Sequence, residues 1–152
     1  MRTHPFLRAF LAVILSSAPG TIGTLHAAER IAGPVAAELV RVIDGDTVMV
    51  SAMPWPGHRV TTYVRLRGID APELKSHCPA TRHAALEAQA VLSELLAASP
   101  LVSLTDISGD KYYGRVVAAI RLADGSDPTT TLLAEGLAEP YRGGHKKTPR
   151  CS

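Results

Sequence analysis

From Arg59 to Arg67 the side chains alternate between two characters. Val60, Thr62, Val64 and Leu66 fall on one side, and Thr61, Tyr63, Arg65 and Arg67 on the other. A period of two is that of a strand with one face against a core. Two β-branched runs precede it, Glu38 to Ile43 and Thr47 to Ser51, joined through Asp44-Gly45, a strong hairpin turn signal. Met53 to His58 places Pro54, Pro56 and Gly57 around Trp55 and predicts a loop. Gly68 to Pro79 predicts irregular chain, because Pro72 and Pro79 bar regular continuation.

The pattern then changes period. Thr81 to Ala98 predicts a helix, with Leu86, Ala90, Leu92, Leu95 and Leu96 as its core stripe, broadened by Val91. Leu101 to Thr105 predicts a fourth strand. Gly114 to Leu122 predicts a fifth, with Val116, Ala118, Ile120 and Leu122 on one face. Asp127 can cap a second helix that has Pro128 at its first position and Gly136 at its stop. The expected fold class is mainly β with helices (α+β): three strands, helix, two strands, helix. Short antiparallel strands segregated in this way fit a small closed barrel with appended helices.

The N-terminal residues read as a targeting segment. Arg2 and Arg8 form a basic start, Phe10 to Ser17 is a short apolar run, and small residues close it near Ala27 and Ala28. Residues 1–28 are therefore expected to be a cleaved signal peptide, and 29–152 a single domain with a basic tail. The apolar run is too short to span a bilayer. Loss of Arg2 and Arg8 leaves 14 basic against 14 acidic residues, so no general basic footprint for nucleic acid remains. Any attraction to phosphate has to be local. Cys78 and Cys151 are the two cysteines, and in an exported chain an even pair suggests a disulfide, the other reading being two unpaired thiols. Zinc is disfavoured, because His77 and Cys78 are adjacent and lack a paired ligand motif.

Three segments carry most of the chemistry: Asp44-Gly45-Asp46-Thr47, Arg65 through Glu73, and Asp110 through Arg115. A hard cation such as Ca²⁺ prefers several oxygens from carboxylates, carbonyls and water. If the second and third strands are neighbours, Asp46 and Asp70 meet at one end of the barrel, where the Ala71 carbonyl can join them. Glu73, three residues beyond Asp70, is the candidate base for an attacking water. Arg65 and Arg115 offer guanidinium groups, which match phosphate oxygens bidentately and stay charged. Tyr112 and Tyr113 are candidates for stacking on or hydrogen-bonding to substrate, the equal alternative being packing. Arg67 and Arg121 read as ordinary surface arginines.

In combination these motifs resemble the thermonuclease family, the staphylococcal-nuclease-like domains. The resemblance spans Glu38 to about Tyr141. It rests on Val42-Ile43-Asp44-Gly45-Asp46-Thr47-Val48, on Val64-Arg65-Leu66-Arg67-Gly68-Ile69-Asp70-Ala71-Pro72-Glu73, on Asp110-Lys111-Tyr112-Tyr113-Gly114-Arg115, and on Glu135-Gly136-Leu137-Ala138. It implies a five-stranded OB-fold barrel with two helices, and Ca²⁺-dependent hydrolysis of DNA and RNA that leaves 3′-phosphate ends. By motif, Asp46, Asp70 and Ala71 resemble the metal ligands, and Arg65, Glu73 and Arg115 the catalytic trio. The segment before Arg115 is one residue longer than the family's usual pattern. Pro140-Tyr141-Arg142-Gly143-Gly144 and Cys151 resemble a subgroup of exported bacterial relatives. These features imply a periplasmic or secreted nuclease, expected to be monomeric and free of stable membrane association. The alternative is a catalytically inactive OB-fold module for nucleic-acid binding or interaction. Such modules usually lose a carboxylate or an arginine of the set, and this chain keeps all five.

Overall fold

The structure is a computed structural model that describes residues 29–144 and 151. The signal-peptide reading of residues 1–28 lies outside the described residues, as does most of the basic tail. The chain runs through β1 (Arg30–Ile31), β2 (Val35–Val42), β3 (Thr47–Trp55), β4 (His58–Leu66) and β5 (Ile69–Asp70). There follow α1 (Pro79–Ala97), β6 (Leu101–Gly109), β7 (Arg115–Arg121), α2 (Pro128–Ala134) and β8 (Glu139–Pro140). Five strands close a barrel in the order β2-β3-β4-β7-β6, with β6 returning to β2. All of these neighbours are antiparallel except β4 and β7. The expected OB-type barrel with two helices is the observed fold.

The interior is built from alternate residues of each strand. Val48 and Val50 of β3, Val64 and Leu66 of β4, Leu104 of β6 and Ile120 of β7 are all essentially sealed from water. Each such side chain contributes about 1.5–3 kcal/mol of hydrophobic stabilisation. Leu92 and Leu96 of α1 and Leu132 of α2 join the same cluster. The alternation anticipated for β4 holds at its C-terminal half, whereas Val60 at the other end is 47% exposed.

Several boundaries differ from the sequence expectation. The segment 53–58 is not a loop. β3 and β4 continue to the pair Trp55↔His58 around the two-residue turn Pro56-Gly57. Pro56 supplies the fixed φ and Gly57 the positive φ of 78° that such a turn requires. Pro79 opens α1 instead of barring it, because the first helical position needs no N–H donor. Strand β6 continues to Gly109, and Ile69-Asp70 forms a short ladder with Glu139-Pro140. The buried face of α1 is Ala85, Ala88, Leu92 and Leu96, while Leu86 is 56% exposed. The stripe is rotated because the Gly45 loop approaches the middle of the helix too closely for leucine at position 88. A β-carbon on Gly45 would lie 2.6 Å from the Ala88 β-carbon. Gly45 is thus selected by close approach, and the Asp44-Gly45 turn is a longer loop spanning residues 43–46.

α2 follows its sequence signals. Asp127 accepts from the Thr129 backbone N–H at 2.9 Å, Pro128 stands at the first position, and Gly136 follows the helix with φ 69°. Cys78 and Cys151 form the disulfide, with Cα atoms 5.5 Å apart. Among the described residues no helix is long and apolar enough to cross a membrane.

Candidate active site

Two local devices bring Asp46 inward. Asp44 turns back so that its Oδ1 accepts the Asp46 N–H at 3.0 Å. The Asp46 carbonyl then accepts the Leu66 N–H at 2.7 Å, which fixes the residue against the end of β4. Asp46 is 3% exposed. Its Oδ1 accepts from the Thr47 hydroxyl at 2.9 Å, and its Oδ2 from the Ala71 N–H at 2.9 Å. Strands β3 and β4 are neighbours, with Thr47 opposite Arg65. The condition on which the sequence reading depended is met.

Arg65 lies between the two aspartates. Its Nη1 donates to Asp46 Oδ1 at 2.9 Å and its Nη2 to Asp70 Oδ1 at 2.5 Å. Burial pushes the Asp46 carboxyl up to about 6, with Asp44 adding repulsion and with Arg65, the Ala71 N–H and Thr47 pulling the other way. Burial also works against the Arg65 charge, but Asp46, Asp70 and Asp44 outweigh it and hold the guanidinium more firmly protonated. The centre is therefore a buried carboxylate that needs a cation beside it, and Arg65 supplies that charge.

Arg115 reaches the same region from β7, since parallel pairing sets Tyr63 beside Arg115 and Arg65 beside Val117. Its Nε donates to Asp110 Oδ2, and its guanidinium lies over the Tyr112 ring, 4.7 Å from the centroid. Lys111 packs on the same ring at 5.0 Å. Asp46, Arg65, Glu73, Tyr112 and Arg115 all line one cleft of about 1080 Å³. Glu73 stands exposed at its edge, in the loop before α1. Asp70 is not part of the cleft wall and meets the cluster through Arg65. Tyr113 is fully exposed and outside the wall, so the structure brings only one of the two tyrosines to the cleft.

Sequence reasoning gave no site role to Tyr141. Its N–H donates to the Gly68 carbonyl at 2.8 Å, its hydroxyl to the Gly144 carbonyl at 2.8 Å, and its ring lies 5.8 Å from the Arg65 guanidinium. The Pro-Tyr-x-Gly-Gly pattern was the available signal. Arg67 is also no simple surface arginine. It donates to the carbonyls of Asp106 and Val117 and to the Ser108 hydroxyl. Arg121, by contrast, is exposed and pairs with Asp127, as expected of a surface arginine.

A closed five-stranded barrel whose end gathers a buried aspartate, an exposed glutamate and two arginines in one cleft defines a nuclease-like OB-type domain. The family described as staphylococcal nuclease homologue matches residues 63–150, more than half of the chain, and the chain belongs to that family. The matched segment holds Arg65, Asp70, Glu73 and Arg115, while Asp46 precedes it and joins the site through β3–β4 pairing. No curated protein matches the chain.

The family is typically Ca²⁺-dependent, which raises the question of fit. Asp46 and Asp70 both reach one guanidinium, so their oxygens converge on a single positive group. Among the described residues no set of three or more His, Cys, Asp or Glu side chains is grouped to hold a metal. The donors therefore fit a hard cation as a two-carboxylate set, with carbonyl, water or phosphate oxygens completing it.

Proposed function

We propose that the chain is an exported, Ca²⁺-dependent nuclease that hydrolyses phosphodiester bonds of DNA, RNA or both, leaving 3′-phosphate ends. The observation that supports this most directly is the convergence of Asp46, Arg65, Glu73 and Arg115 on one cleft wall. The apolar leader at residues 10–17, with Arg2 and Arg8 before it, supports export to the periplasm or outside the cell, with residues 29–152 as the mature domain. A monomer is sufficient, since a single chain supplies the whole constellation.

Asp46, Asp70 and the Ala71 carbonyl are the residues we assign to the cation, which when bound would offset phosphate charge. Glu73 accepts a proton from water as the water oxygen bonds to phosphorus. The bond between phosphorus and the 5′-oxygen breaks, and that oxygen takes a proton from solvent and leaves as a hydroxyl. Proton transfer to a positioned base is worth about 10²–10⁴-fold. Arg65 and Arg115 donate to the phosphate oxygens, whose charge grows in the five-coordinate transition state, so their contacts favour it over the ground state. Arg65 is engaged with Asp46 and Asp70 in this structure, so its role on phosphate requires an exchange of partners.

The test is cleavage of single-stranded DNA and RNA with Ca²⁺, with chelator, and by Glu73→Gln. Activity is expected with Ca²⁺, and a loss of orders of magnitude in the other two arms. Equal turnover by the Gln variant removes Glu73 as the base. Equal turnover in chelator removes the cation assignment. Binding of the oligonucleotide with no product in any arm identifies the inactive module instead.

A further inference from the structure

Arg67 lies two residues beyond Arg65, in the turn that follows the end of β4, and the sequence offers it no task beyond solvent contact. In the structure its Nη2 donates to the Asp106 carbonyl at 2.7 Å, the Ser108 hydroxyl at 2.8 Å and the Val117 carbonyl at 3.0 Å. Its Nε donates to the Asp106 carbonyl at 3.1 Å and pairs with Asp106 Oδ2 at 3.0 Å. Asp106 and Ser108 belong to β6, and Val117 to β7. One guanidinium therefore ties the turn after β4 to both β6 and β7.

Its partners surround a slip in the β6–β7 ladder. Up to Thr105↔Ala119 the pairing follows one register, and from Ser108↔Val117 onward it is displaced by one residue. Asp106 sits in this bulge with φ 51°, the left-handed region that non-glycine residues occupy at a cost of about 1–2 kcal/mol. The displacement has a chemical consequence. Without it, the first register would set Gly109 against Arg115 and Asp110 against Gly114. With it, Asp110 faces Arg115, as its N–H bond to the Arg115 carbonyl at 3.2 Å and the ion pair between the two side chains record. A one-residue slip exchanges the faces of every later side chain.

We propose that Arg67 is a positioning residue: by holding the β6 bulge it keeps Asp110 opposite Arg115 and so aims Arg115 into the cleft. Lysine cannot replace it, because a single ammonium lacks the planar array of donors that reaches both strands. What Arg115 does once aimed rests on the nuclease reading, whereas the register argument does not.

The experiment compares wild type with Arg67→Lys, Arg67→Met and Arg30→Ala. Arg30 pairs with the other oxygen of Asp106 at 3.1 Å but is exposed and touches no part of the cleft. The first readout is the NMR signal of the Arg115 Nε–H, protected from exchange by Asp110. It is expected in wild type and Arg30→Ala and lost in Arg67→Lys. The second readout is turnover. Arg67→Lys should lower kcat about 10²-fold, the scale of a misplacement near 1 Å, with KM close to wild type. Added to Arg115→Ala, it should cost nothing further, because both changes remove one interaction. An unchanged Arg115 signal in folded Arg67→Lys overturns the proposal. So does a rise in KM at constant kcat, which would make Arg67 a direct substrate contact, and so do additive losses. Should Arg67→Met fail to fold, the lysine variant, which keeps the charge, decides. A wild type that cleaves nothing refutes the nuclease reading, and the NMR readout still judges the inference.

Discussion

Gly45 lies too close to Ala88 to admit a side chain, so the loop that delivers Asp46 packs against the middle of α1. A β-carbon at residue 45 would lie 2.6 Å from that of Ala88 and 2.8 Å from that of Ala71. Both neighbours are methyl groups fixed to backbone, and neither can rotate away. Gly45→Ala is therefore expected to destabilise the fold by about 1–3 kcal/mol, the usual range for overpacking. It should also lower activity, because the displaced loop carries Asp46. Thermal melts and turnover check this, and a variant as stable and active as wild type would show that the contact is loose.

The buried Asp46 sets a pH dependence. Its carboxyl is pushed up to about 6 from an ordinary 3.8, so the folded state holds the proton more tightly than the unfolded one. The associated stability is fully present below about pH 4 and is lost as pH rises through about 6, on the order of 3 kcal/mol. Asp46→Asn should flatten that part of the profile. Urea melts between pH 4 and 7 without Ca²⁺ measure it. A wild-type curve that rises with pH across this window as steeply as the asparagine variant's would contradict the assignment.

Arg65 balances the two carboxylates, and its removal should be felt in both stability and cation affinity. Arg65→Gln leaves Asp46 and Asp70 facing each other without a positive charge. Breaking one partner of a buried pair costs about 3–5 kcal/mol. Added Ca²⁺ should recover more of the melting temperature in this variant than in wild type, because the guanidinium no longer competes for the same oxygens. If Ca²⁺ shifts neither protein, Asp46 and Asp70 do not form the cation site.

Much of this arrangement was legible in the chain itself. The five barrel strands, both helices and the α2 cap follow from period, turn chemistry and a capping aspartate, all of which are local. The approach of Asp46 to Asp70 depends on β3 and β4 being neighbours, as they are, whereas the roles of Arg65, Glu73 and Arg115 rest on the family resemblance. What escaped was non-local. The rotated face of α1 depends on how closely Gly45 approaches Ala88, and no helical period encodes that distance. Arg67 reads as a surface residue because its acceptors lie some forty to fifty positions away in sequence. Tyr141 gains its place only when β8 pairs with β5. The tyrosines at 112 and 113 are indistinguishable in sequence and separate only by which side of the turn each occupies.

The Cys78–Cys151 bond fastens the chain's end to the residue that caps α1. The two cysteines are 73 positions apart, and chain-entropy reasoning assigns such a closure roughly 4 kcal/mol. Reduction by a thiol should lower the melting temperature of the protein, and Cys78→Ser with Cys151→Ser should match the reduced wild type. Equal melting temperatures of oxidised and reduced protein would mean that the crosslink constrains nothing that folding does not already fix.

Tyr112 and Tyr113 should differ in their effect on substrate. Tyr112 lines the cleft and packs beneath Arg115, whereas Tyr113 points into solvent outside the wall. Stacking of a base on an aromatic ring is worth about 1–3 kcal/mol, so Tyr112→Ala should raise KM about tenfold or more. It should also lower kcat, because Arg115 loses the ring that supports it. Tyr112→Phe keeps the ring and should retain most activity. Tyr113→Ala should leave both constants near wild type on short oligonucleotides confined to the cleft. Steady-state kinetics on single-stranded DNA and RNA of matched sequence separate these outcomes. A larger loss from Tyr113→Ala than from Tyr112→Ala would place the substrate path over the tip of the β6–β7 turn, outside the cleft that holds Arg65 and Glu73.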